Sequence, residues 1–279
     1  MAAFEGGLTY HAFGSRVLKL TSPPMTGTDV KVLQVLFNQL LAITHPPQGP
    51  IGPPLTPDGS YGPLTQAGVK NLQSYFGLTV DGVAGQNTYR SLGQLVGSYV
   101  TYGGPAFGSR SLAAGNSGGD VRVLQNRLNV FRYATAVGGP ADGIYGTKTG
   151  TAVAQFRTDA QANGDTGLGV TTTLGPAGLD AVWIYTYTGG RNLAQGAAGL
   201  DAAFVQLLLS SLTNPGTGRP FYAGAIDGYY GSVTAAAVRT FQQTTNISAD
   251  GIAGPQTYYQ FGLHNAVAAP APAPVPNIG

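Results

Sequence analysis

The chain has no cysteine among its 279 residues, which excludes disulfides, thiolate nucleophiles and Cys-based metal sites. Charge is scarce as well: Asp, Glu, Lys and Arg together make up 9%, where an ordinary soluble domain carries about 25%. The formal net charge is +2 and no run of Lys or Arg occurs, so the dense basic patch of a nucleic-acid binder is missing. No apolar run reaches the ~18 residues of a membrane span. The opening MAAFEGGLTY has neither a charged n-region nor an apolar h-region and is not read as a secretory signal, leaving the export route open. What is present is 43% hydrophobic residues, enough for real cores, with 43 Gly, 19 Pro and 15 Tyr. A surface so poor in charge has little self-repulsion and favours association. That composition points to a subunit that buries much of its surface against copies of itself, ahead of a merely uncharged secreted protein.

Internal repeats dominate the pattern. Three Asp-Gly turns recur at near-equal intervals: Asp58-Gly59-Ser60-Tyr61-Gly62, Asp142-Gly143-Ile144-Tyr145-Gly146 and Asp227-Gly228-Tyr229-Tyr230-Gly231. Seven residues after each Asp stands Thr (Thr65, Thr149, Thr234), then Val (Val69, Val153, Val238), then a large apolar residue (Leu72, Phe156, Phe241). Before each turn, Asp29, Asp120 and Asp201 open a stretch with Gln five residues later (Gln34, Gln125, Gln206) and apolar residues at helical spacing, such as Val30, Leu33, Phe37 and Leu40. Each reads as an amphipathic helix headed by an N-capping Asp. A second turn follows in the outer copies, Asp81-Gly82-Val83-Ala84-Gly85 and Asp250-Gly251-Ile252-Ala253-Gly254, leading to Thr88-Tyr89 and Thr257-Tyr258. The middle copy has Thr172-Thr173-Leu174-Gly175-Pro176 instead. Upstream, Ala12-Phe13-Gly14-Ser15-Arg16 returns as Ala106-Phe107-Gly108-Ser109-Arg110, while the third copy keeps Arg191 and Leu193. Thr9-Tyr10, Thr101-Tyr102 and Thr186-Tyr187 suggest short strands before each copy.

The combined pattern resembles the peptidoglycan-binding-like domain family. It is most complete in the first copy (Gly27, Asp29, Val30, Leu33, Gln34, Asp58 to Gly62, Thr65, Val69, Leu72, Gln73, Asp81 to Gly85, Thr88); the second copy has Arg157 where Gln is usual. The resemblance implies a three-helix bundle whose usual role is docking an attached enzyme onto bacterial cell wall. The motif residues themselves explain the fold better than the docking. Gly after Asp permits the tight turn, Thr at the next helix start can satisfy free backbone N–H groups, and Val, Leu and Phe fill a small core. Asp58, Gly59, Tyr61, Gly62, Asp81, Gly82, Asp142, Gly143, Tyr145, Gly146, Asp227, Gly228, Tyr230, Gly231, Asp250 and Gly251 are therefore read as mainly structural turns. Arg16, Arg110, Arg191, Tyr89 and Tyr258 are the candidates for glycan or interface contact.

Catalytic patterns are wanting. His11, His45 and His264 have no partner at metal-ligand spacing, so zinc-amidase chemistry is not expected. Gly115-Asn116-Ser117-Gly118-Gly119 matches G-x-S-x-G but falls in a Gly-rich lead-in without the strand and His that a nucleophile elbow needs. The Asp-Gly turns lack the further acidic ligands of a calcium loop. Paired carboxylates for glycoside cleavage could be assembled only across modules. The stretch 44–57 holds six prolines and reads as a stiff loop or contact arm, and the Ala/Pro-rich tail 266–279 as polyproline-like chain that a neighbouring subunit would have to hold.

The expected architecture is mainly α: three tandem small three-helix modules (1–98, 99–185 with a degenerate second half, and 186–265), each with a short extended or β leading segment, then the tail 266–279. Two functions stay open. One is a non-catalytic structural protein, a homo-polymer forming an extracellular or surface filament, sheath or spore layer by an open head-to-tail contact. The other is a monomeric protein that binds or targets peptidoglycan through three weak modules, phage or lytic-complex associated. Neither reading needs a cofactor, nucleic acid or a membrane span, and both place the chain outside a bacterial cell or at its surface.

Overall fold

The computed structural model describes residues 7–47, 49–93, 103–131, 133–162 and 169–264; the tail and Thr101-Tyr102 lie outside them. Three helix triplets follow one another. The first is α1 (Thr28–Ile43), α2 (Pro63–Tyr75) and α3 (Gln86–Ser91). The second is α4 (Gly119–Val130), with a short additional α5 (Ala134–Val137), then α6 (Thr147–Ala162) and α7 (Pro176–Tyr185). The third is α8 (Leu200–Ser211), then paired two-residue strands β1 (Thr213–Asn214) and β2 (Arg219–Pro220), and α9 (Ser232–Thr244) and α10 (Pro255–His264). The fold is mainly α, as its periodicity predicts.

Local chemistry departs from the sequence reading at three points. Asp29, Asp120 and Asp201 are not N-caps. Gly27, Gly118 and Gly199 occupy the cap positions, and each Asp sits inside the first turn. Its carboxylate is drawn to an arginine, and its Oδ1 also accepts the N–H of the next residue. Thr65 and Thr234 do not cap either, because α2 and α9 are capped by Gly62 and Gly231 without a side-chain bond. The leading segments form isolated bridges instead of strands: Leu18 pairs with Ala84, Leu112 with Leu174 and Leu193 with Ala253. Thr9-Tyr10 and Thr186-Tyr187 are not in strands.

The opening helices α1, α4 and α8 are buried on nearly every face. Alongside the stripe of Val30, Leu33, Leu36, Phe37 and Leu40, α1 also buries Lys31, Val32, Val35 and Gln39. A lone three-helix unit would leave that second face in water. Here the other modules cover it. α1 packs against α7 and α8, and α4 packs against α10. Phe13 and Phe107, the same residue of two repeats, meet Trp183 edge-on at 5.5 and 5.2 Å. Phe131 stacks on Phe204 at 5.4 Å, between second and third modules. Each such ring contributes about 1.5–3 kcal/mol by leaving water, so the modules share one continuous core. The closest approach is at Gly262 of α10, where a Cβ would stand 1.7 Å from the carbonyl oxygen of Asn129. Arg127, 1% exposed, stands at the junction. Its guanidinium donates to the carbonyls of Thr186 and Gly93 and lies 4.2 Å from the Trp183 ring.

Candidate functional site

The repeated turns are built around one side chain, a glutamine. Gln34 Nε2 donates to Asp58 Oδ1 at 2.9 Å and to Thr65 Oγ1 at 2.9 Å, and its Oε1 accepts Gly59 N–H at 2.9 Å. Asp58 Oδ1 also accepts the N–H of Ser60 at 2.8 Å. The same knot forms at Gln73, Gln125, Gln206 and Gln242, whose Oε1 accepts Gly82, Gly143, Gly228 and Gly251 N–H at 2.8, 2.7, 2.9 and 2.8 Å. The Gly must take positive φ for its N–H to face inward, 73° at Gly59 and 70° at Gly82. A buried primary amide needs both donors and its acceptor satisfied, and this turn supplies them. At Asp81, the Val83 amide and then Gln73 hold the carboxyl below its ordinary range.

The sixth position differs. Arg157 replaces the Gln, with Nε donating to Gly169 O at 2.5 Å and Nη1 to Thr173 O at 2.9 Å. The residue matching Thr88 is Gly178, where a Cβ would come within 2.7 Å of Leu174 Cδ2 and 2.8 Å of Arg157 Nη1. The outer copies have Ala84 and Ala253 where Leu174 stands, so the two larger side chains and the missing Cβ are one linked exchange.

Of the five candidate contact residues the two tyrosines are buried, and the three arginines, part-exposed, are each held by a buried carboxylate. Arg16, Arg110 and Arg191 clasp Asp29, Asp120 and Asp201 at 2.7, 2.7 and 2.6 Å, with carboxylates at most 2% exposed. The hydrogen bond to Asp29 raises the Arg16 pKa. Tyr89 and Tyr258 are 1% and 0% exposed, and their hydroxyls donate to the carbonyls of Arg16 and Arg191. Burial pushes the Tyr89 pKa up. Neither ring is available to a ligand. Tyr61 and Tyr230 bond Gly82 O and Gly251 O at 2.9 Å, tying first turn to second. Ser117 of the G-x-S-x-G match bridges Ile144 just before α4, a place in the helix lead-in and not at an elbow.

One surface feature among the described residues that could take a ligand is a groove at the second turn of the third module, between the end of α9 and the start of α10. Its apolar walls are Ile247, Ile252 and Pro255, joined by Pro140 from the second module. Asn192, Ser248 and Gln256 supply exposed polar groups, and Asp250 the charge. Sequence reading missed Asn192 and Gln256 because neither belongs to the repeated motif.

A family described as "Putative peptidoglycan binding domain" matches residues 26–92, 117–172 and 204–260, well over half the chain. The chain belongs to the peptidoglycan-binding domain family. Within it, this chain is 43% identical over 72 residues to a zinc D-Ala-D-Ala carboxypeptidase of Streptomyces albus G, covering 26% of each chain. It is 34% identical over 157 residues to a probable N-acetylmuramoyl-L-alanine amidase of Bacillus licheniformis, covering 52% of this chain and 43% of the relative. The chain thus spans less than half the length of either relative it matches. No solved structure matches it significantly. The third family match takes in the second turn, so the groove's residues 242–257 lie within it, while Pro140 comes from the match in the neighbouring copy and Asn192 lies outside all three. Among the described residues no group of three or more His, Asp or Glu side chains could hold a metal ion, and no helix is long and apolar enough to cross a membrane.

Proposed function

We propose that this chain is a non-catalytic peptidoglycan-binding body acting at the bacterial cell wall. The carrying observation is the threefold family match on a fold whose repeated polar residues are occupied internally, with a part-polar groove left open at the surface. The relatives support the same chemistry by name, since a D-Ala-D-Ala carboxypeptidase and an N-acetylmuramoyl-L-alanine amidase act on wall bonds. The polymer reading drew on the low charge of the chain and asks for apolar surface to be buried against further copies. The apolar faces of α1, α4 and α8 are covered by other modules of the same chain, so they need no second copy. The test is co-sedimentation with purified sacculi, together with size-exclusion chromatography. A monomer that sediments with sacculi is expected. A chain that stays in the supernatant and forms large particles on its own would replace this reading with the structural one.

A further inference from the structure

The lead-in and second-turn positions that face the groove in the third module, Asn192 and Gln256, are not matched in the other two. Asn192 follows Arg191; the residues that follow Arg16 and Arg110 are Val17 and Ser111. Gln256, second in α10, corresponds to Asn87 in α3 and Ala177 in α7. Only the third module therefore carries a carboxamide at both places. In the first, Val17 is an exposed apolar side chain, 54% accessible. In the second, Arg157 has taken over the turn and Thr171 stands where Asp250 would be.

The lining also has a chemical sense. Two carboxamides and a hydroxyl offer donors and acceptors of amide type. Ile252, Pro255 and Pro140 offer apolar surface for methyl groups and the flat faces of a ring. The charged group in the lining is the carboxylate of Asp250, and Arg239 bonds that residue's backbone carbonyl at 3.4 Å without joining the lining. A ligand presenting carboxylates would meet the like charge of Asp250, with no cation in the lining itself. Wall stem peptides are rich in carboxylates, whereas the wall glycan repeats uncharged acetamido groups.

We propose, resting on the wall-binding reading, that the chain holds its ligand at this one composite groove and that the ligand is an N-acetylated saccharide strand, not a peptide stem. Asn192 and Gln256 bond successive acetamido groups, while Pro140 of the second module closes the far wall. Three family modules thus provide one site.

The experiment is calorimetric titration of the full chain with tetra-N-acetylchitotetraose and, separately, with a stem pentapeptide ending in D-Ala-D-Ala. One saccharide per chain is expected, with affinity falling at least tenfold in Asn192→Ala/Gln256→Ala and unchanged in Asn87→Ala. All three positions are exposed, and matching melting curves establish that the variants fold. Binding of the pentapeptide instead, a stoichiometry near three, or equal losses in both variants would overturn the proposal. So would absent saccharide binding by a chain that still sediments with sacculi; that result leaves wall binding standing. Failure to sediment would remove the wall reading itself.

Discussion

The second turn of the first module and its counterpart in the second solve the same problem with different chemistry. In one, Gln73 reaches into Asp81-Gly82 and finds Thr88 behind it at 3.4 Å. In the other, a guanidinium grips two carbonyls, Gly169 O and Thr173 O, and the residue behind it has lost its side chain. A carboxamide both donates and accepts, so it demands an inward N–H as well as acceptors. A guanidinium only donates, so it is content with carbonyls and does not require the Asp-Gly conformation. The degenerate half of the middle copy is a second way to anchor the same helix entrance.

The largest test of that contrast is Gln73→Ala. It leaves the buried Gly82 N–H without its acceptor and takes the amide donor from Asp81, and should cost about 3 kcal/mol. Because the modules share one core, calorimetry should show the single transition of the whole chain shifting, without a separate peak for the first module. Next is Gly178→Thr, which restores the family residue but drives it into Leu174 and Arg157. A loss of about 2 kcal/mol is expected. In an Arg157→Gln background the same change should cost about 1 kcal/mol less. Denaturant titration of the four-member cycle measures this, and strict additivity would dissolve the idea of a linked exchange.

A smaller effect concerns the next departure along the same helix. Where α3 has the exposed Arg90, α7 has Asp180, 1% exposed, with one carboxylate oxygen lacking a partner. Burial first, and then the charge of Asp29 across the module junction, push its pKa from 3.8 up to about 8, against the favourable bond from Thr28. The folded value is raised, so the protonated acid favours folding. Its contribution is full below the unfolded pKa and is lost as pH rises from about 3.8 to about 8. Asp180→Asn should flatten that slope and gain at least about 1 kcal/mol at alkaline pH. Melting temperatures at pH 5 and pH 9 check it; a variant as pH-dependent as the parent would show that Asp180 is not the source.

Much of the module fold was legible in the sequence because it is written in turns. Asp-Gly spacing and the Thr, Val and Phe that follow located every second helix, and the i, i+3, i+7 stripes located α1, α4 and α8. The partner of those turns was visible as a motif residue, yet Gln34 and Gln73 carry no sign of which backbone they bind. Arg16 and Tyr89 were legible as repeated polar groups but not as groups already held by the protein, since a repeat marks a constraint without saying whether water or protein imposes it. The joining of modules left fainter marks. Gly262 stands in a helix where Ala would otherwise be better, and Trp183 gains its meaning only from Phe13 and Phe107 far away in the chain. The groove was not legible at all, because Asn192 and Gln256 are departures from the repeat.

The glutamine knots have a consequence for the life of the covalent chain. Asp-Gly is the pair of residues most prone to rearrange: the glycine nitrogen attacks the side-chain carboxyl carbon, water leaves, and the resulting imide reopens to isoaspartate. This chain carries five such pairs. At Gly59, Gly82, Gly143, Gly228 and Gly251 that nitrogen has its hydrogen held by a glutamine oxygen, while the same glutamine grips the neighbouring carboxylate. Nucleophile and electrophile are pinned to opposite ends of one amide, so the chain ages at these bonds only as fast as its glutamines let go.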